Sequence, residues 1–140
     1  MDQKLCDDLV LRSRSGLYGK MLGIEVVKID AGYALVRMSL RPELENIFGV
    51  THGGALFSLI DEAFQLASNS HGIWAVALNV SITYMAVPKP NTVLEARAEE
   101  LNRTKRTASY YCDVREKEGG RLIATAQALA YRTGKEIPCT

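Results

Sequence analysis

Residues 46–72 read NIFGVTHGGALFSLIDEAFQLASNSHG, and this stretch decides the fold. It opens on a loop with a polar residue, Asn46, and a turn glycine, Gly49, then passes through His52-Gly53-Gly54 into a long helical run. Between Gly54 and Ser68 nothing breaks a helix: there is no proline, no further glycine, and Ala55, Leu56, Leu59, Glu62, Ala63 and Leu66 are strong formers. At the period of a helix, Ala55, Leu56, Phe57, Leu59, Ile60, Ala63, Phe64, Leu66 and Ala67 cover more than half of the circumference. Ser58, Asp61, Glu62, Gln65, Ser68 and Asn69 share the remaining arc. A helix this apolar is wrapped by other structure. Asp61, at the edge of the apolar face beside Phe57 and Phe64, is placed to be half buried.

Outside this stretch the pattern is mostly that of strands. IEVVKID (24–30), a turn at Asp30-Ala31-Gly32 and YALVRMSL (33–40) read as a hairpin, with Ala34, Val36, Met38 and Leu40 alternating against polar neighbours. WAVALNVSITYM (74–85) alternates Val76, Leu78, Val80, Ile82 and Tyr84 against Ala77, Asn79, Ser81 and Thr83, and Pro88-Lys89-Pro90-Asn91 ends it. TVLEARAEEL (92–101), a turn at 102–106, TASYYCDVRE (107–116), a turn at Glu118-Gly119-Gly120 and RLIATAQALAYR (121–132) complete six strands. Ala124, Ala126, Ala128 and Ala130 line one face of the last and leave room for a bulky neighbour. Short turns between successive strands require an antiparallel sheet. The expected fold is α+β, one long helix on the concave face of a curled six-stranded sheet. Residues 1–20 read as an N-terminal helical cap, and residues 134–140 as a frayed tail.

The chain has 140 residues, enough for one domain with a sizeable core. A net charge of +1 gives no reason to expect a nucleic-acid partner. No apolar run approaches the roughly 18 residues that span a bilayer, and the charged N-terminus lacks the apolar segment of a secretory signal. Cys6, Cys112 and Cys139 share no metal-ligand spacing and read as free thiols of a reducing compartment. The expectation is a cytoplasmic protein without a membrane partner. With only His52 and His71, a three-histidine metal site is excluded, and no nucleophile elbow or nucleotide loop is present.

The chemistry is concentrated at the start of the helix. Gly53 and Gly54 let the chain approach a ligand closely, and their N–H groups are among the unpaired donors of a helix N-terminus, suited to a developing oxyanion. Alternatively, they only ease entry into a crowded helix. Asp61 is a candidate base or nucleophile, or else a solvated carboxylate beside Glu62, which lies deeper in the polar arc and reads as solvated. Gly53 and Asp61 lie about 12 Å apart along the helix, too far to act on one acyl carbonyl within one chain. If both act on it, Asp61 comes from a second subunit with an antiparallel helix. His52 donates to substrate or caps the helix. Asn46 forms the turn or orients a water. His71 before Gly72 reads as a helix C-terminal signal. Arg103, Lys105 and Arg106, with Lys89 on a neighbouring loop, make either a solvated turn or a landing site for phosphate.

Taken together, Asn46, Gly49, His52, Gly53, Gly54, Leu59 and Asp61 form N-x-x-G-x-x-H-G-G-x-x-x-x-L-x-D. This pattern resembles the hotdog-fold acyl-CoA thioesterases, in particular their PaaI-like, phenylacetate-degradation branch. The likeness extends to SITYMAVPKPN and through the strand order to Arg132. It implies a hotdog fold working as a homodimer, often a dimer of dimers (a homotetramer), and hydrolysis of an acyl-CoA without metal or prosthetic group. It also implies that the Gly53 N–H polarises the thioester carbonyl and that Asp61 of the partner subunit activates water or attacks. Asn46 and His52 would position water and thioester, the basic hairpin would meet the CoA phosphates, and Gly54, Phe57 and Phe64 would contact the acyl group. Some relatives carry a hydroxyl residue near Ala77, which has none here. A non-catalytic acyl-CoA-binding module and a hotdog dehydratase or hydratase are the alternative readings.

Overall fold

A computed structural model of the chain describes residues 1–138. The cap is two helices, α1 (Gln3–Ser15) and α2 (Leu17–Leu22). It runs two residues past the expected end, to Leu22, where Gly23, in the left-handed conformation at φ +76°, closes α2. The six strands are β1 (Glu25–Asp30), β2 (Tyr33–Ser39), β3 (Ile73–Tyr84), β4 (Val93–Arg103), β5 (Thr107–Glu116) and β6 (Leu122–Glu136). They form one antiparallel sheet in the order β1-β2-β4-β5-β6-β3. This is the α+β arrangement that the pattern of the sequence requires.

The long helix, α3 (Gly53–Asn69), lies across the sheet with its backbone nearest β2 and β4. Leu59, Ile60, Ala63, Phe64 and Ala67 are excluded from solvent, in one core with Val36, Met38, Leu94, Tyr110, Cys112 and Val114. Each large apolar side chain buried there stabilises the fold by about 1.5–3 kcal/mol. Two residues of the expected polar arc, Ser68 and Asn69, are buried instead. Asn69 is fastened there: its Oδ1 accepts from the Ala75 N–H at 2.9 Å, and its Nδ2 donates to the Gln65 carbonyl at 2.9 Å. It joins the end of α3 to the start of β3.

Two departures concern the strands. The last runs to Glu136, and the Ile137 N–H donates to the Gly72 carbonyl, where the sequence suggests a frayed tail from Gly134. Cys139 and the end of that tail lie outside the described residues. The second departure is in β3, which does not alternate as a half-buried strand. Ala75 is buried, Val76 and Leu78 are exposed, and Val80 and Ile82 are half-buried. The register slips between Ala77 and Asn79, and one extra residue turns the odd-numbered inward face into an even-numbered one. β3 is also an edge strand, so much of its apolar surface has no cover within the chain.

Candidate active site

The loop leading into α3 is built on its own hydrogen bonds. The Asn46 side-chain carbonyl accepts from the Phe48 N–H at 2.9 Å and the Val50 N–H at 3.3 Å, and the His52 N–H donates to the Leu44 carbonyl at 2.7 Å. Asn46 therefore shapes the turn with its oxygen. His52 is the N-cap of α3: its Nδ1 accepts from the Gly54 N–H at 2.8 Å. With Nδ1 engaged, a neutral ring carries its proton on Nε2, which makes the exposed edge of His52 a donor. The His52 carbonyl accepts from Ala55 and Leu56. The Gly53 N–H is left without an acceptor among the described residues. It is an unpaired donor at the positive end of a helix dipole.

Asp61 lies two turns further along α3. Its carboxyl is half-buried, opens onto a cavity of about 620 Å³ and makes no hydrogen bond among the described residues. Burial alone holds its pKa above the ordinary carboxylate value. The cavity lies between the cap, α3 from Ser58 onward and the first residues of β3, with Phe64, Trp74 and Ala77 on its wall. Phe64 also meets the Tyr110 ring edge-on at 5.5 Å. Phe57, expected beside it, does not line the cavity, whose α3 wall begins at Ser58. Ala77 contributes no polar group here, and Asn79 and Ser81 are exposed further along the edge strand.

Glu62 is not the solvated residue that the helix pattern suggests. It is half-buried, accepts a 2.6 Å hydrogen bond from the Ser13 hydroxyl of α1, and lines the same cavity. The hydroxyls of Tyr18 and Ser58 form a second bridge of 2.6 Å between cap and helix. A periodicity argument treats α3 alone and cannot see that the cap covers its polar arc. Cys112 is buried in the core, where burial and then nearby carboxylates, Asp113 and Asp61, push its thiol up to about 12. It is an inert free thiol.

One protomer does not bring the expected residues together. Asn46, His52, Gly53 and Gly54 are absent from the wall of the cavity that holds Asp61. Nor does it place the basic hairpin beside them. Gly53 lies against Tyr84 at the end of β3, whereas Arg103 ends β4 and Lys105 and Arg106 lie in the turn after it, where the Thr104 and Arg106 carbonyls accept from Arg132 near the end of β6. Lys89 is not a neighbour of that turn. Its N–H donates to Glu116, which pairs with Leu94 at the start of β4, about 30 Å along the strand from Arg103. His71, expected only to end the helix, is packed against Glu100 with Nε2 and Oε1 at 3.0 Å. Burial lowers its pKa against the opposing pull of Glu100. The Tyr110 hydroxyl donates to the same Glu100 oxygen at 3.4 Å, and Arg103 stands 3.5 Å from it.

Sequence reasoning missed Tyr84, whose hydroxyl donates to the Gly53 carbonyl at 3.1 Å. It sits at the end of a strand pattern, and nothing in the spacing announces its contact with a glycine 31 residues earlier. Among the described residues no three His, Cys, Asp or Glu side chains gather as a metal site requires. No helix among them is long and apolar enough to cross a membrane.

Comparison with known proteins places this geometry among relatives. Residues 48–123 match the family model of the thioesterase superfamily. A putative esterase of Archaeoglobus fulgidus is 41% identical over 86% of this chain and 78% of that protein. The acyl-coenzyme A thioesterase PaaI of Escherichia coli is 32% identical over 84% of each chain. The structure of the E. coli PaaI protein from the phenylacetic acid degradation operon superposes with a TM-score of 0.90, over 96% of this chain and 97% of that one, at 29% identity. A hypothetical thioesterase from Streptococcus pneumoniae, solved with coenzyme A, is 29% identical, with a TM-score of 0.77 over 82% of this chain and 92% of that one.

Proposed function

The chain belongs to the thioesterase superfamily and is a thioester hydrolase, and from that premise we propose that it cleaves an aryl- or fatty acyl-CoA to the free acid and CoA at a site shared by two subunits. The observation that carries this reading is Asp61: a half-buried carboxylate with no hydrogen-bond partner among the described residues, facing a cavity large enough for an acyl group. A half-buried charge without a hydrogen bond costs stability, and a catalytic use accounts for its presence.

In the reaction the unpaired Gly53 N–H donates to the thioester carbonyl oxygen, and the His52 Nε2–H adds a donor at its side. Asp61 of the partner subunit takes a proton from water as the water oxygen bonds to the carbonyl carbon. The negative charge that develops on the carbonyl oxygen is held at the helix N-terminus. Collapse of the tetrahedral intermediate breaks the C–S bond, and the proton held by Asp61 passes to the departing CoA sulfur. Asn46 keeps the loop in shape, and its amide N–H group is free to orient the water. Phe64 lines the acyl cavity, Phe57 and Gly54 meet the substrate nearer the thioester, and no cofactor beyond the CoA of the substrate is needed.

The edge strand supports the shared site. β3 is 12 residues long, and Trp74, Val76 and Leu78 on it are 44%, 41% and 55% exposed. A long apolar edge of this kind is an invitation to pair with a second copy. Antiparallel pairing of β3 with its own copy would set two α3 helices side by side in opposite directions. Gly53 of each would then approach Asp61 of the other. The same operation carries the basic hairpin of one subunit to the Gly53 end of its partner, where Arg103, Lys105 and Arg106 would take the CoA phosphates. Leu11, Leu17 and Met21, exposed on the cap, offer a second surface through which dimers would join into tetramers. Free thiols suit a cytoplasmic setting.

Release of free thiol from a panel of aryl and fatty acyl-CoAs tests the reading. Asp61→Ala should lower kcat by about 10²- to 10⁴-fold with binding retained. Tight binding without thiol release by the wild type, or hydration of an enoyl-CoA without CoA release, would sink it.

A further inference from the structure

The geometry points to Tyr84 as a positioning residue for the thioester carbonyl: its hydroxyl locks the Gly53–Gly54 peptide, so that the Gly53 N–H keeps one direction. The inference rests on the thioesterase reading above and concerns a residue which that reading does not use.

Two successive glycines at a helix start have no Cβ to restrict them, and each peptide plane there can swivel more freely than in any other sequence. An oxyanion donor cannot swivel, because its contribution depends on being aimed before charge develops. In this chain the plane between Gly53 and Gly54 is held at both ends. Its oxygen accepts from the Tyr84 hydroxyl at 3.1 Å, and its N–H donates to His52 Nδ1 at 2.8 Å. The preceding plane, to which the Gly53 N–H belongs, is held by the His52 carbonyl, which accepts from Ala55 at 3.0 Å and Leu56 at 3.4 Å. The Gly53 Cα is thus suspended between two fixed planes. Tyr84 supplies the only one of these fastenings that comes from outside the helix.

The fastening refers the donor to the sheet. Tyr84 is the last residue of β3 and pairs with Ala124 on β6, so its ring is carried by the strand ladder. The ring also fills the place of a Gly53 side chain: a Cβ built there would lie 3.2–3.3 Å from ring and hydroxyl atoms. Glycine at 53 and tyrosine at 84 are therefore complementary, one leaving the space and the other using it to reach the backbone. The tyrosine is 51% exposed, so loss of its hydroxyl leaves no buried polar group unsatisfied and should leave the fold intact.

Tyr84→Phe keeps the ring and deletes the hydrogen bond. The expected result is a kcat lower by about five- to tenfold, the scale of one neutral hydrogen bond, with KM within about twofold and an unchanged thermal midpoint. A second readout is the infrared carbonyl stretch of an acyl-CoA bound to Asp61→Asn protein, in which turnover is blocked. The stretch should sit below its solution value when Tyr84 is present and move back towards that value in the Asp61→Asn, Tyr84→Phe double variant. An unchanged kcat in Tyr84→Phe overturns the positioning role and leaves the thioesterase reading standing. So does a fall in kcat that tracks the thermal midpoint while the carbonyl stretch stays put. A wild type that releases no thiol from any acyl-CoA overturns both.

Discussion

The proposed division of the site between two copies of one chain makes a prediction that no single-chain site can imitate. Gly53 and Asp61 are separated along α3 by about 12 Å of helix rise, whereas a carbonyl oxygen must lie within about 3 Å of the N–H that polarises it. On the proposed reading one subunit supplies Gly53 and the other Asp61, so each dimer would have two sites, each drawing on both chains. Two variants remove one member each. Gly53→Pro deletes the donor while keeping a helical φ, since proline is well accommodated at the first position of a helix. Its ring would press on Tyr84, which must yield by a few tenths of an ångström. Asp61→Asn removes the proposed base with almost no change of shape. Loss of one oxyanion donor costs about 10²- to 10³-fold in kcat, and loss of a general base costs a comparable factor.

Each variant alone is then nearly inactive, but a hybrid dimer is not. One of its sites inherits both lesions, and the other inherits neither. A purified hybrid, isolated with two different affinity tags, should release thiol at about half the wild-type rate per dimer, and a randomly assorted equal mixture at about a quarter. The assay is thiol release at saturating acyl-CoA, with each parent variant and the hybrid at equal concentration. A purified hybrid no more active than its parents would refute the shared site, because a site contained in one chain carries one lesion in every subunit.

Two further expectations follow from the same geometry. Burial raises the Asp61 pKa, so the folded chain holds that proton more tightly than the unfolded one. Its charge therefore costs stability above the folded pKa and costs nothing below the unfolded value of about 3.9. Asp61→Asn should raise the thermal midpoint at about pH 7 and leave it unchanged near pH 3, and a lower midpoint at neutral pH would contradict the burial argument. At the exposed edge of β3, a Val76→Lys, Leu78→Lys double variant should sediment as a folded monomer and lose thiol release, since lysine on an edge strand blocks further pairing. A dimer of full activity would remove β3 as the interface.

What could be read from the sequence was whatever depends on neighbours along the chain. The apolar sweep of α3 fixes its burial, and the alternation of β2, β4 and β5 fixes which of their faces lie inside, because both patterns are periodic and local. His52-Gly53-Gly54 could be placed at a helix start for the same reason. Glu62 could not be read. Its hydrogen bond comes from Ser13, 49 residues away, on a cap whose docking no periodicity describes. The inward face of β3 could not be read either, because one extra residue at the edge reverses it without leaving a mark in composition.

The two kinds of residue meet at Gly53. The glycine is legible because a helix start near a ligand calls for it, and Tyr84 is silent because its role exists only once β3 has been laid beside α3. An oxyanion donor needs both: a backbone loose enough to approach the substrate and an outside contact that removes the looseness afterwards. The first requirement leaves a motif in the sequence. The second can be met from any strand that ends nearby, by any side chain of the right length, and leaves none. In this chain the local pattern names the glycines at the start of α3, and the fold supplies the Tyr84 hydroxyl that fastens the Gly53 carbonyl.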